Sequence, residues 1–246
     1  MKKKIHIASC SFGKDSIATI LLALQHGEPL DRIVFCEVMF DNSRCISGEQ
    51  PEHIKWVYST AIPKLETMGI KVDVVKSNKD YVSCFNHVNT KGKYVGMKSG
   101  YPIGGKCVIN GTCKVKPIKE YYKQFKNFEI VEYIGIAKDE PKRLARMKKY
   151  QISLLDKYEY TEAMALELCK EYELLSPLYK NGTRGGCWFC PNSKIITLKN
   201  IYENHPHLWK ELQKLDEITN VCCKGFKYGI TLNEIENKIK KLQDTQ

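Results

Sequence analysis

Ile5-His6-Ile7-Ala8-Ser9-Cys10-Ser11-Phe12-Gly13-Lys14-Asp15-Ser16, running on into Ile17-Ala18-Thr19-Ile20-Leu21-Leu22-Ala23-Leu24, sets the reading of the whole chain. Residues 5–8 read as a short buried strand behind the basic start Lys2-Lys3-Lys4, and residues 17–24 have the length and apolar face of a helix packed on a sheet. Strand, tight polar loop and helix together present several backbone N–H groups to an anion, where the helix dipole adds a partial positive charge. Gly13 lets the backbone approach closely, Lys14 offers a cation, and Ser11 and Ser16 offer hydroxyls. Asp15 stands where it either binds a magnesium ion carried by phosphates or caps the helix. The loop has neither the G-x-x-x-x-G-K-[ST] of the common P-loop nor the dinucleotide G-x-G-x-x-G. The plainer reading is an ordinary capped helix start, with Ser11 or Asp15 as the cap.

The chain has 246 residues, 43% of them hydrophobic, enough for one sizeable α/β core plus an appended segment or for two small domains. No run approaches the ~18 apolar residues of a membrane span. No signal-peptide apolar region is seen, so a cytoplasmic protein is expected. Eleven cysteines in that setting read as thiols, metal ligands or cluster ligands rather than as a disulfide framework. The net charge of +11 asks for an anionic partner. Its excess is concentrated in residues 91–126, where nine lysines face one acid, Glu120, with Tyr94, Tyr101, Tyr121 and Tyr122 interleaved. That pattern suits a phosphate-rich ligand or a nucleic-acid backbone, or a solvated loop.

Further strands are expected at residues 31–38, 71–75 and 129–136. Helices are expected at 51–68 (kinked or broken at Pro63), at 117–126, as a basic helix through Met147, and at 161–172. The β-α-β-α-β order predicts an α/β fold with a doubly wound, mostly parallel, Rossmann-like sheet. The connection 78–116 is too long for an idle loop. Residues 187–191, Cys187-Trp188-Phe189-Cys190-Pro191, form a Cys-rich knuckle, and the rest of the chain is a helical C-terminal segment interrupted at residues 222–225. The division expected is a nucleotide-binding domain at 1–180 and a knuckle with a helical extension at 181–246.

The hexamer Ser11-Phe12-Gly13-Lys14-Asp15-Ser16 resembles the S-x-G-x-D-S loop of the PP-loop ATP pyrophosphatases, which wraps the pyrophosphate end of ATP. Three more segments extend the likeness over roughly residues 3–192 to the phosphoadenosine-phosphosulfate (PAPS) reductase family. They are the acidic turn Phe40-Asp41-Asn42 with Glu49-Gln50-Pro51-Glu52, the Lys114-Val115-Lys116-Pro117 that resembles K-V-x-P, and residues 135–143, Gly135-Ile136-Ala137-Lys138-Asp139-Glu140-Pro141-Lys142-Arg143, which resemble G-I-R-x-x-E-S-x-x-R. The resemblance implies nucleotide contacts from Ser11, Phe12, Gly13, Lys14, Asp15, Ser16, Asp41, Gly135 and Lys138, with Lys14, Asp15 and Arg143 as catalytic residues. The reductases' closing E-C-G-[IL]-H is missing, Cys222-Cys223-Lys224-Gly225 being its only late counterpart. Asp15 is kept as in members that split ATP. Both departures favour ATP-dependent adenylylation coupled to sulfur transfer over reduction of PAPS or adenylyl sulfate, or over a sulfate-adenylyltransferase-like subunit.

Cys187 and Cys190 supply half a metal site, and Cys107 with Cys113, set among glycines and lysines, are its natural complement. Four thiolates suit a [4Fe-4S] cluster or tetrahedral zinc; the adenylyl-sulfate reductases that this chain resembles carry such a cluster. A reduced thiol pair is the plainer reading of Cys187 and Cys190. Cys10, Cys36, Cys84 and Cys169 fall in apolar or helical contexts and are assigned to the core, while Cys45 is a candidate sulfur carrier. His53 and His87 read as structural, Tyr179 and Trp188 as packing or base-stacking groups, and Arg143 with Arg146 as a phosphate clamp or a solvated face. The cofactors expected are ATP (or PAPS) with Mg2+ and a [4Fe-4S] cluster, with Zn2+ as the alternative. The partners expected are an adenine nucleotide, a nucleic-acid or small-molecule acceptor and a sulfur-donor protein, with oligomerisation left open. A zinc-containing nucleic-acid-binding module without catalysis is the non-enzymatic alternative.

Overall fold

The computed structural model describes residues 2–103, 107–181, 185–223 and 225–243. Its strands in chain order are β1 (Lys4–Cys10), β2 (Arg32–Glu37), β3 (Met39–Asp41), β4 (Ile46–Ser47), β5 (Val72–Lys76), β6 (Glu129–Ile134) and β7 (Gln151–Ile152), and α1 covers Lys14–Gln25. By backbone contacts the chain forms two units. One comprises Met1–Glu37, Pro51–Lys76 and Lys116–Gly185, the other Val38–Gln50, Ser77–Val115 and Gly186–Gln246. By these contacts the segments that leave β2 and β5 at their C-terminal ends belong with the knuckle and the C-terminal helices, a division different from the expected cut between residues 180 and 181. Local patterning does not reveal this, because both assignments rest on contacts distant in sequence.

The first unit is built on a five-stranded sheet in the order β5-β2-β1-β6-β7, every neighbouring pair parallel. The chain winds from β1 through α1 to β2 and then β5, and returns to place β6 on the other side of β1. The strand order thus reverses beside β1, and in such sheets ligands bind at the C-terminal ends of the strands at that point. Residues 16–23 of α1 are all buried. They pack with Phe35, Val57, Leu65, Tyr133, Leu154 and Leu168 on one face of the sheet. Ile5, Ile7 and Val34 meet Tyr121, Tyr122, Phe125 and Phe128 on the other. Three layers result, as the α/β reading expects.

Local chemistry explains where the elements depart from expectation. The helix predicted over 51–68 is Pro51–Trp56, a π-helical segment Val57–Ala61 and Ile62–Thr67, with Pro63 in the first turn of the last piece. Pro63 has no N–H to donate, and the wider π turn, in which Ile62 N–H reaches Val57 O, lies immediately before it. The basic helix expected through Met147 is a single turn, Pro141–Leu144, so Arg146 lies beyond it. The two-residue edge strand β7 was not foreseen, being too short for a period to show.

In the second unit β3 and β4 form a short antiparallel hairpin. The knuckle is bound to it: Trp188 donates its backbone N–H to Gly48 O (3.0 Å) and its indole N–H to Ser47 O (2.8 Å). Gly48 has to be glycine, since a Cβ there would lie 2.8 Å from both Phe189 and Val38 O. Around this join an aromatic core assembles, with Phe40 4.7 Å from Trp188 and Tyr81 4.0 Å from Phe189 between ring centroids. Helices Ile195–Asn204, Pro206–Asp216 and Leu232–Gln243 complete it through Leu198, Trp209, Leu212 and Ile239. Among the described residues no helix is long and apolar enough to cross a membrane.

Candidate functional site

The loop after β1 is tied down through several of its own backbone groups. The N-cap of α1 is Gly13, which makes no side-chain cap, so neither Ser11 nor Asp15 serves as the cap. Ser16 Oγ instead donates to Gly13 O (2.9 Å) and accepts the Ser11 N–H (3.3 Å), folding the loop on itself. Phe12 lies fully buried at φ 57°, a left-handed conformation costly for a non-glycine residue. Its N–H points at Cys10 Sγ (3.2 Å). His53, 2% exposed, bridges Ser11 O (3.1 Å) and Ser176 Oγ (2.8 Å). Tyr179 Oη accepts the Lys14 N–H (3.0 Å), and Cys169 Sγ donates to Lys14 O (3.1 Å), its thiol pushed up to about 12 by burial. His53, Tyr179, Cys10 and Cys169 are thus the loop's supports. Their sequence signal was no stronger than a lone polar or thiol group near an apolar run.

The loop after β6 meets this one directly. A Cβ on Gly135 would lie 2.6 Å from both the Asp15 carbonyl carbon and the Ser16 nitrogen, so only glycine fits. Lys14 Nζ sits 2.6 Å from Asp15 Oδ1 and 3.6 Å from Glu162. Burial raises the Asp15 carboxyl above its ordinary 3.8, the Lys14 contact opposing it. Lys138 pairs with Glu159 (2.6 Å). Arg143 clasps both oxygens of Glu140 at 2.5 and 2.6 Å, and Glu140 also accepts the Ala137 N–H (3.2 Å). Ser11, Phe12, Gly13, Lys14, Asp15, Ser16, Gly135, Lys138 and Arg143 all belong to the first unit.

Asp41 belongs to the second unit, where its carboxylate accepts from Ser43 (N and Oγ) and from Arg44 (N and Nε). The Ser43 hydroxyl foremost, and then Arg44, hold it below its usual range. Arg44 reaches on to Glu211 (2.7 Å). The basic stretch is divided as well. Lys91, Lys93, Lys98 and Lys114 lie in the second unit and Lys116, Lys119, Lys123 and Lys126 in the first, while Lys106 lies outside the described residues.

The thiols of interest all lie in the second unit. Cys190 N–H bonds back to Cys187 O (3.1 Å), closing the knuckle turn. Burial drives the Cys187 thiol well above its ordinary value, helped by Glu49 and by the charges of Cys190 and Cys107, with Lys114 opposing. Cys113 is buried and its Sγ touches Cys84 Sγ at 3.9 Å. That contact lowers Cys84 and raises Cys113, whose neighbours also include Cys187. Cys107 is exposed. Cys84, assigned from sequence to the core, therefore joins this group, its partner being too far along the chain for any spacing rule. Five thiols in one unit suit a soft metal in kind and in number. Among the described residues no three Cys, His, Asp or Glu side chains stand together as a closed metal site. Cys222 Sγ donates to Ser99 O (2.9 Å), and Cys45 is exposed. Trp188 is fully buried and packs the knuckle.

No family model matches the chain. It is 23% identical over 226 residues to uncharacterized protein MJ0066 of Methanocaldococcus jannaschii, an alignment covering 87% of this chain and 42% of that protein, so the chain spans less than half of its relative's length. Among solved structures it is similar to the U34-tRNA thiolase NcsA from Methanococcus maripaludis with its [4Fe-4S] cluster, at TM-score 0.44 and 19% identity over 96% of this chain and 80% of that one.

Proposed function

We propose that the first unit binds ATP as a PP-loop enzyme of the PAPS reductase type and cleaves it between the α- and β-phosphates, adenylylating an acceptor for sulfur transfer. The observation that carries the reading is the loop 11–16, which has a glycine as its N-cap and lies beside the reversal of strand order, pressed against Gly135. An ordinary helix start has no need of a strained buried Phe12, a polar clamp on each flank and a glycine-only neighbour. A pyrophosphate end would lie at the N-terminus of α1, where the helix dipole favours negative charge. Lys14 would leave Asp15 for the phosphate oxygens, freeing the Asp15 carboxylate for magnesium. Arg143 would stabilise charge developing on the phosphates. An acceptor oxygen attacks the α-phosphorus, the α–β bond breaks and pyrophosphate leaves. A sulfur nucleophile then displaces AMP from the acceptor.

Cys113, Cys187 and Cys190, with Cys107 or Cys84, would hold the metal group. A [4Fe-4S] cluster, when bound, supplies iron sites at which sulfur is held for transfer. Zinc is the second reading, favoured by one distance. Two sulfurs on one tetrahedral zinc stand roughly 3.8 Å apart for Zn–S bonds of about 2.3 Å, and Cys84 and Cys113 are 3.9 Å apart. The net charge of +11 makes a nucleic acid the acceptor to try first. The test is anaerobic incubation of the full chain with magnesium–ATP, sulfide and total RNA. AMP and pyrophosphate should form in wild type and be lost in Lys14→Ala; ADP and phosphate, or products unchanged in the variant, would exclude the reading.

A further inference from the structure

We propose that the Tyr81 hydroxyl donates a hydrogen bond to a sulfur atom of the metal group held by the second unit's thiols. The proposal rests on the thiolate-held group just described and assigns it a residue that sequence reading passed over.

Tyr81 opens the helix Tyr81–Phe85, whose start is fixed by a capping box between Asp80 and Ser83. The residue is 1% exposed, and among the described residues its buried hydroxyl has no hydrogen-bond partner. Buried hydroxyls are nearly always paired, because losing water without gaining a partner is costly. Tyr101, equally deep in the same core, follows that rule by donating to Leu212 O (3.1 Å). Packing does not explain the exception, since phenylalanine would supply the same ring against Phe189, Phe40 and Phe85. The hydroxyl is therefore the part of Tyr81 that asks for a ligand.

Its surroundings say which kind. The ring lies 4.0 Å from Phe189, the residue immediately before Cys190 in the knuckle. Along its own helix Tyr81 precedes Cys84 by three residues, so the two share a face, and Cys84 touches Cys113. Tyr81 thus adjoins the knuckle through Phe189 and shares a helix with Cys84 of the second thiol pair. Burial, then Tyr101, Cys187, Cys190 and Cys107, hold its phenol well above the ordinary value, so it stays a donor at any working pH. A fixed O–H facing thiolate or sulfide draws negative charge off the sulfur and raises the reduction potential of an iron–sulfur group. Tyr81 acts on the reaction only through that group and is a positioning residue.

The test compares full-length wild type with Tyr81→Phe, each as metal-loaded and as chelator-stripped protein, with Tyr101→Phe as the control for loss of a satisfied hydroxyl. Tyr81→Phe should take up as much metal as wild type. It should raise the melting temperature of the stripped form by about 3 °C or more, by removing an unpaired buried hydroxyl, yet give no such gain in the loaded form. In an iron-loaded protein its midpoint potential should move negative. Tyr101→Phe should lower both melting temperatures and leave the potential alone. Equal gains in loaded and stripped Tyr81→Phe, with an unshifted potential, would refute the Tyr81 assignment and leave the metal group standing. A wild-type chain that takes up neither iron nor zinc would remove both.

Discussion

In the first unit the loop's supporting groups are already paired. Ser16 holds Gly13 and Ser11, His53 holds Ser11 to Ser176, and Tyr179 and Cys169 hold the two ends of the Lys14 backbone. In the second unit, Tyr81 keeps a buried hydroxyl without a partner among the described residues, Cys113 leans on Cys84, and burial opposes ionisation of Cys187. The first arrangement is held by these bonds in the absence of any ligand. The second has Cys84, Cys113 and Cys187 set against an aromatic core without closing on one another among the described residues. The proposed nucleotide site and the proposed metal site should therefore respond differently when their ligands are withheld.

The largest effect that separates the two is expected at Lys14. Lys14→Ala should cut α–β cleavage of ATP by about 100-fold or more, the scale for losing a positioned electrostatic group, with metal content as in wild type. If metal is lost along with activity, the two regions are not independent. Cys187→Ser makes the reciprocal claim: metal uptake should fall severely and the melting temperature with it, while magnesium–ATP affinity measured by calorimetry stays within about twofold of wild type. A nucleotide affinity that fell with the metal would break the comparison from the other side.

Gly135→Ala sharpens the comparison within the first unit. The new Cβ meets backbone at 2.6 Å, which no side-chain rotation relieves. Overpacking of that kind costs about 1–3 kcal/mol, so both thermal stability and nucleotide binding should drop; an alanine variant with wild-type binding would show that the two loops are not pressed together. A subtler test is the pH dependence of Asp15. Burial raises its folded pKa above 3.8, so ionising it costs the folded state. The stability this group favours is present below pH 3.8 and is lost as pH rises through the raised value. Asp15→Asn should therefore melt higher than wild type at pH 7, lose that advantage below about pH 4, and be inactive. A variant less stable than wild type at pH 7 would show that the Lys14 contact outweighs burial.

Arg143 should give the smallest effect. It is half exposed, and its pairing with Glu140 contributes little stability. Arg143→Ala should leave the melting temperature unchanged and lower turnover by roughly tenfold. Turnover equal to wild type would take Arg143 out of the site.

How much of this was legible in the sequence follows from the range of the interactions. The strand–loop–helix at residues 4–25 and the parallel strands were readable because apolar runs and turn residues are local signals. The glycine at 135 was recoverable only through a family likeness, since the atom it must avoid belongs to Asp15. The second unit was hidden because its pieces, residues 38–50, 77–115 and 186–246, are joined by contacts such as Trp188 on Ser47 and Cys84 on Cys113. No periodicity encodes those pairings. Asp41 shows the same limit, for its acidic turn matched a pattern while its carboxylate is taken up by Ser43 and Arg44.

The measurement that bears most directly on the central claim is a calorimetric titration of the full chain with magnesium–ATP, repeated in the presence of pyrophosphate and with Lys14→Ala. The account predicts one ATP site that pyrophosphate competes for and that Lys14→Ala weakens at least tenfold. Absence of ATP binding, or binding indifferent to both pyrophosphate and Lys14, would contradict it.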